Sequence, residues 1–286
     1  MKNRYLFLLL AGGLLSCKDG QKSSTTQANA PTQTASATTA SGDTIILNNE
    51  VYAILAGGLS VREKPDANAA VIGKIEYGAV VELPPVPTDG GLVPQNNSVP
   101  VNLAGMATYW IKAQIGGKTG YVIEAYVSDY PPPPAGTKDL KGWAQAISKP
   151  YGAAFVSQSK TKNFYQDGID IYRQLYNNGG VYSESVGYEY FATSLQLPNT
   201  TLLKVLNCLR GLEDFAPVFK ANAPLKKGSY TVPDTQMPEG YQWVTTYDAT
   251  GQYLQAVSVS WSDGGYSTIT VTQLETDVIV SFSSGV

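Results

Sequence analysis

The sequence predicts a mainly β protein, a small β-barrel followed by an α+β domain with an antiparallel sheet and one helix, on three observations. Tyrosine is abundant, 19 Tyr against 7 Phe, beside 28 Gly and 17 Pro in a chain only 15% charged. Aromatic side chains suit a pleated surface, and Gly and Pro supply the turns between short strands. Short apolar stretches bounded by Gly, Pro, Asn or Asp recur from Val51 to Phe282, and one stretch after Pro198 keeps helical spacing instead. At 286 residues the chain is long enough for two ordinary domains, each with its own core.

Residues 1–17 read as an export signal. Lys2 and Arg4 give the positive start, and Leu6 to Leu15 is apolar apart from Ala11, Gly12 and Gly13. Ten apolar residues span about half of a ~30 Å hydrocarbon core, which fits a cleaved signal better than a permanent span. From Lys18 to Asp43 the chain is Ser, Thr, Ala, Gln, Asn and Pro, too polar to offset the entropy of ordering, and is expected to be a disordered tether. Its r.m.s. reach is about 25–30 Å. Removing residues 1–17 takes away Lys2 and Arg4 and leaves 18 basic side chains against 23 acidic, a net of −5. No Lys/Arg cluster follows, so no nucleic-acid partner is expected.

Leu14-Leu15-Ser16-Cys17 resembles the bacterial lipoprotein signal, with a bulky Leu15 where Ala or Ser is usual. The resemblance implies lipidation of Cys17 and a membrane held through that anchor. Lys18-Asp19 after the cysteine implies the outer membrane, with the leaflet left open.

Between 44 and 130, apolar residues to Leu55 lead into Gly57-Gly58, and Leu59 to Arg62 alternates before the turn at Pro65-Asp66. Ala70 to Ile75, Ala79 to Leu83, Tyr109 to Ile115 and Lys118 to Tyr126 read as further strands, the last two joined across Gly116-Gly117. Gly58-Leu59-Ser60-Val61-Arg62, Tyr77-Gly78, Tyr109-Trp110 and Gly120-Tyr121-Val122 come in an order that resembles a bacterial SH3 domain. Relative to that family Ser60 replaces Asn, Lys64 replaces Gly and the Trp-Tyr pair is reversed. The resemblance implies a small barrel that binds a peptide or peptidoglycan.

Where the family has a short turn, this chain inserts about 25 residues from Pro84 to Thr108, whose Val99, Val101, Leu103 and Met106 can fold back on the barrel. A loop of that length in a compact domain is usually functional or disordered. Tyr109, Trp110, Tyr121 and Tyr126 are candidates for an aromatic surface that stacks on a ligand, and Arg62 for a ligand-contacting cation, with core packing and a structural ion pair as the bland readings. Neighbours on a strand face opposite sides, so Tyr109 is expected outward and Trp110 inward.

Pro131 to Pro134 reads as a spacer within a linker over 131–140. In 141–286, Tyr151 to Gln158, Ile169 to Tyr176 and Val181 to Leu195 read as strands. A helix follows, with Asn199 or Thr200 as N-cap, Leu202, Val205, Leu206, Leu209 and Leu212 on one stripe, and Gly211 at its end. After a Pro-rich connection from Ala216 to Pro238 come strands at Tyr241 to Tyr247, Tyr253 to Trp261, Tyr266 to Gln273 and Asp277 to Phe282, with turns at 248–251 and at Asp263-Gly264-Gly265.

The chain has no histidine, which removes Ser-His-Asp triads, Cys-His dyads and His-ligated zinc. Cys208 reads as a buried, inert thiol beside the helix stripe, and if Cys17 is lipidated, as the lipoprotein resemblance implies, no intrachain disulfide can form. Glu184 with Glu189 and Asp167 with Asp170 are the carboxylate pairs nearest to glycosidase or cation chemistry, and neither has the required arrangement. No cofactor, metal or catalytic residue is assigned. The expectation is a lipid-anchored binding protein whose partner is cell-wall peptide, peptidoglycan or an envelope protein. An inhibitor or immunity-type lipoprotein and a carboxylate-only glycan enzyme are the alternatives.

Overall fold

The alternation that marks strands in the sequence is the alternation that buries them. The computed structural model describes residues 51–84, 99–103, 106–157, 169–219, 225–235, 237–251, 253–262 and 264–286. The export signal with Cys17, the tether, residues 85–98 and 104–105 of the insert, Asp167 and Asp263 lie outside them. Ile45–Val286 forms one compact unit that includes both halves of the chain, and it is mainly β with antiparallel sheets, as expected.

The first half contains β1 (Tyr52–Ala53), β2 (Leu59–Arg62), β3 (Val71–Ile75), β4 (Val99–Leu103), β5 (Met106–Ile115), β6 (Lys118–Ile123) and β7 (Val127–Ser128). Leu59 and Val61 point inward against Ile75, Ala113, Val122 and Val127. β5 and β6 turn across Gly116 and Gly117, both at positive φ, a conformation that glycine adopts without a Cβ penalty. The expected barrel is not closed. Five strands pair in the order β3-β2-β6-β5-β4, and β1 with β7 forms a separate ladder. Residues 79–83, expected as a strand, supply only the isolated bridges Tyr52↔Val80 and Glu82↔Gln114. β2 meets β6 through the single pair Arg62↔Tyr121. Part of the insert is ordered structure: β4 pairs along β5, placing Val99 opposite Trp110.

The second half is a nine-stranded antiparallel sheet with two helices on one face. Its strands are β8 (Phe155–Ser157), β9 (Asp170–Leu175), β10 (Val181–Val186), β11 (Tyr190–Leu197), β12 (Gly228–Val232), β13 (Tyr241–Tyr247), β14 (Leu254–Ser262), β15 (Tyr266–Leu274) and β16 (Asp277–Gly285). The order β12-β13-β14-β15-β16-β11-β10-β9-β8 is two meanders joined where the last strand pairs with β11. The sequence reading ran β10 and β11 together as one strand; the chain reverses at 187–189 and pairs back, Val186 opposite Phe191. The Pro-rich connection also holds a strand, β12, beside β13.

Among the described residues two α-helices are present where one was expected. α1 (Leu140–Ile147) starts at Asp139, whose side chain accepts from Gly142 N at 2.8 Å, and buries Leu140, Trp143 and Ala144. α2 (Leu202–Leu209) is the expected helix, but its N-cap is Thr201, and Arg210 rather than Gly211 is its C-cap. Both helices pack on the sheet face that carries Leu195, Leu197, Val257, Val259, Ile269, Val271, Val278 and Val280, each at most 1% exposed. Trp243 packs edge-on to Phe219 and stacks near Tyr230, and Trp261 stacks near Phe282.

The halves are stitched together. Asn207 Nδ2 on α2 donates to the Ala125 carbonyl at 3.1 Å, and the Tyr77 hydroxyl donates to the Pro133 carbonyl at 3.1 Å. Pro132 and Pro133 are buried, and Trp143 Nε1 donates to the Pro131 carbonyl, so the proline run is a packed strap. Ile54, from the first half, joins the core of the second.

The opposite face of the large sheet has a different composition. Cross-strand pairing lines up Ser183, Ser194, Ser281, Thr270 and Ser258 in one rank from β10 to β14.

Candidate functional site

A groove of about 570 Å³ opens where the two halves meet. β5 contributes Ala107, Thr108 and Tyr109; the approach to α2 contributes Asn199, Thr200 and Thr201; Tyr253 comes from the β13–β14 turn and Leu254 from the start of β14, and Gln273 comes from the end of β15 and Glu275 from the β15–β16 turn.

Strand alternation decides what β5 offers it. Tyr109 is 36% exposed on the groove, whereas Trp110 is 4% exposed. The outward tyrosine is therefore as expected, and Trp110 is corrected from ligand candidate to core. Tyr121 sits opposite Arg62 and Lys112 on other strands, and Tyr126 packs half-buried against the cluster of the first half. The four aromatic candidates do not form one surface; Tyr109 alone reaches the groove. Arg62 is a brace: its guanidinium Nη1 donates to the Ala69 carbonyl at 2.7 Å and closes the 63–70 turn. Cys17 lies outside the described residues.

The groove floor is built around the N-terminus of α2, where the first backbone N–H groups have no intrahelical partner. Thr201 caps it without a side-chain bond. Gln273 does so from across the sheet: its Oε1 accepts from Leu202 N at 2.8 Å. Its Nε2 lies 3.1 Å from each of the Thr200, Glu275 and Asp277 carbonyls, so two hydrogens are shared among three acceptors. One glutamine thus ties the helix start to the β15–β16 turn. The Tyr130 hydroxyl donates to the Pro198 carbonyl at 2.6 Å and fixes the chain leading into the helix; burial pushes its pKa up.

Among the described residues, the two non-glycine positions at positive φ are Asn199 (53°) and Glu275 (52°), and both line this groove. Asn tolerates this region; Glu adopts it at a cost on the order of 1 kcal/mol, and such outliers cluster at binding sites. Thr200 is 4% exposed, and its hydroxyl is buried without a partner.

Among the described residues, the groove's one lysine is ion-paired to two carboxylates. Lys204 Nζ lies 2.6 Å from Glu124 Oε1 and 3.9 Å from Asp129 Oδ2, and Thr108 donates to Glu124 Oε2 at 3.3 Å. A side chain only 13% exposed holds that ammonium against the groove wall.

No family model, curated protein or solved structure matches this chain. Its chemistry is read from the groove itself, which offers two exposed tyrosine rings, helix N–H groups and an internally paired ammonium. Those are means of holding a ligand. Cys208 is buried, and burial pushes its thiol pKa far up, which removes thiolate nucleophilicity. Glu184 bonds the Tyr182 hydroxyl at 2.8 Å on the helix-covered face, and Glu189 lies in the β10–β11 turn, so the two do not face a common substrate space. Among the described residues no group of three or more His, Cys, Asp or Glu is gathered.

Sequence reasoning missed Tyr253, Lys204, Gln273 and Glu275 at this site. The residue types carried no signal there, because the groove forms only when β5 is brought against α2 and the β13–β14 and β15–β16 turns.

Proposed function

We propose that this chain is a lipid-anchored binding protein of the bacterial outer membrane, tethered through Cys17, and that its groove holds an extended peptide segment from the cell wall or an envelope protein. One observation carries the reading: Tyr109 from β5 and Tyr253 from the β13–β14 turn stand 36% and 57% exposed on a single groove that contains the α2 N-terminus. Rings of this kind add large contact area at low conformational-entropy cost, while backbone N–H groups meet the carbonyls of an extended chain. The resemblance of the first half to a bacterial SH3 domain supports the same class of ligand. The inserted segment contributes β4, which pairs with β5 next to Tyr109. The absence of histidine removes the Cys-His and metal-His hydrolase chemistry otherwise expected beside such a module.

The test is retention on purified peptidoglycan, with Tyr109→Ala and Tyr253→Ala as groove variants. Binding that falls by about tenfold in each variant, with the melting temperature unchanged, is the expected result. Wild-type protein that is not retained removes the wall-binding version. Crosslinking in cells that captures one tight protein partner through Tyr109 would move the assignment to an inhibitor or immunity role.

A further inference from the structure

The outer face of the nine-stranded sheet carries hydroxyl side chains aligned in ranks across five strands. Beside the rank from Ser183 to Ser258, pairing sets Ser185, Ala192, Ser283, Thr268 and Ser260 in a parallel rank. At about 4.8 Å per strand each rank runs about 19 Å. All ten residues are partly buried, as side chains packed shoulder to shoulder on an open sheet are. Among the described strand residues, the register puts two charged side chains on this face, both at its margins. Arg173 Nε donates to Ser183 at 3.2 Å, and Asp277 accepts from Gln196 at 2.8 Å. The centre carries nine hydroxyls and Ala192, and no charge.

At one end of the ranks, Tyr190 and Tyr266 both pair with Gly285, one on each side. They are 46% and 62% exposed. Gly285 carries no side chain, so a gap two strand spacings wide, about 9.6 Å, separates the two tyrosine positions. The Tyr266 phenol approaches the Ser260 and Thr268 hydroxyls, which draw its pKa below the ordinary tyrosine value.

This chemistry narrows the occupant. A charged ligand would give up hydration for a centre with no countercharge, and a wholly apolar one would strip water from those hydroxyls that have no partner within the sheet. A polyhydroxylated chain without charge supplies donors and acceptors at close intervals, and its C–H faces stack on a tyrosine ring. A flat, extended chain also matches a flat sheet. We propose that this face binds a neutral β-linked glycan chain, with Tyr266 and Tyr190 as stacking platforms and the Ser/Thr ranks as its hydrogen-bonding bed. The site is separate from the groove and does not depend on the groove's ligand.

The probe is chitohexaose, with cellohexaose as a second neutral chain, titrated calorimetrically into the full mature chain in a detergent without a sugar headgroup. Saturable binding is expected for at least one of the two. Tyr266→Ala should weaken it by about tenfold, Tyr266→Phe by only about threefold because the ring remains, and Tyr109→Ala not at all. Thr270→Asp, which puts a charge into the centre of the bed, should weaken it at an unchanged melting temperature. The proposal is overturned by any one of three results: no saturable binding of either hexasaccharide, binding indifferent to Tyr266→Ala, or binding lost in Tyr109→Ala, which would assign the sugar to the groove.

Discussion

Replacing Asn207 with leucine tests whether the two halves fold as one. Asn207 is 6% exposed on α2, and its two polar atoms serve different parts of the molecule. Nδ2 donates to the Ala125 carbonyl in the first half, and Oδ1 accepts from Arg210 Nη1 at 2.8 Å. Leucine fills a similar volume, so the cavity contribution is small, but it orphans a buried carbonyl and a guanidinium whose Nε already lacks a partner. Burial lowers the Arg210 pKa, the sign of a cation with little solvent to fall back on. A buried group left unpaired costs about 1–3 kcal/mol, so the pair should cost about 2–5 kcal/mol. For a unit of this size that lowers Tm by roughly 5–15 °C. Differential scanning calorimetry should show one transition for the natural chain and one, shifted down, for the variant. Two transitions in the natural chain, or a Tm that Asn207→Leu moves by less than about 1 °C, would refute the coupling and leave the groove as a contact between independent bodies.

Two further predictions concern stability. Burial raises the pKa of the Tyr182 phenol and the Cys208 thiol, so the folded state holds these protons to higher pH than the unfolded chain does. Their contribution is complete below the unfolded values, about 8.5 for Cys and 10 for Tyr, and is lost as pH rises beyond them, at up to about 1.4 kcal/mol per pH unit for each group. Urea titrations from pH 7 to 11 should show stability flat to about pH 8 and then falling, less steeply in Tyr182→Phe; a flat profile throughout would contradict the burial. Gly120→Ala would bring a Cβ to 2.5 Å from Val61 Cγ1 and 2.8 Å from the Arg62 carbonyl oxygen, and should cost about 1–3 kcal/mol in a denaturant melt, with the groove's ligand affinity unchanged once folded.

Much of the fold was legible because local chemistry and tertiary packing agree. β14 and β15 alternate apolar with Ser or Thr along most of their length, and turn residues sit where the strands reverse. Where reading failed, two local signals competed. Leu140, Trp143, Ala144 and Ile147 have helical spacing behind a capping Asp139, but the preceding prolines draw attention to a linker. Val181 to Leu195 looks continuous because Gly187 is the one glycine at its reversal, flanked by Val186 and Tyr188, which read as strand. Barrel closure was beyond sequence reading, since it depends on residues 79–83 finding partners along their whole length, and they find only two bridges.

The functional surfaces divide along the same line. Tyr109 was legible because alternation within one strand forces Tyr109 and Trp110 apart, and only one of them can be core. Tyr253 and Gln273 were not, because nothing local distinguishes a tyrosine that closes a groove from one that ends a strand. The hydroxyl face is an intermediate case. Each serine and threonine reads simply as the solvent side of a strand, and the ranks emerge only with register. In an antiparallel sheet a one-residue slip sends every side chain to the other face. The apolar residues that fix the register against the helices therefore also fix the alignment of the hydroxyls opposite them. Val280 pairs with both Leu195 and Val271, and that pairing sets Ser281 between Ser194 and Thr270. A substitution that loosened the inner pairing, such as Val280→Asn, would disorder the outer ranks without touching them, so the two faces of this sheet are one constraint.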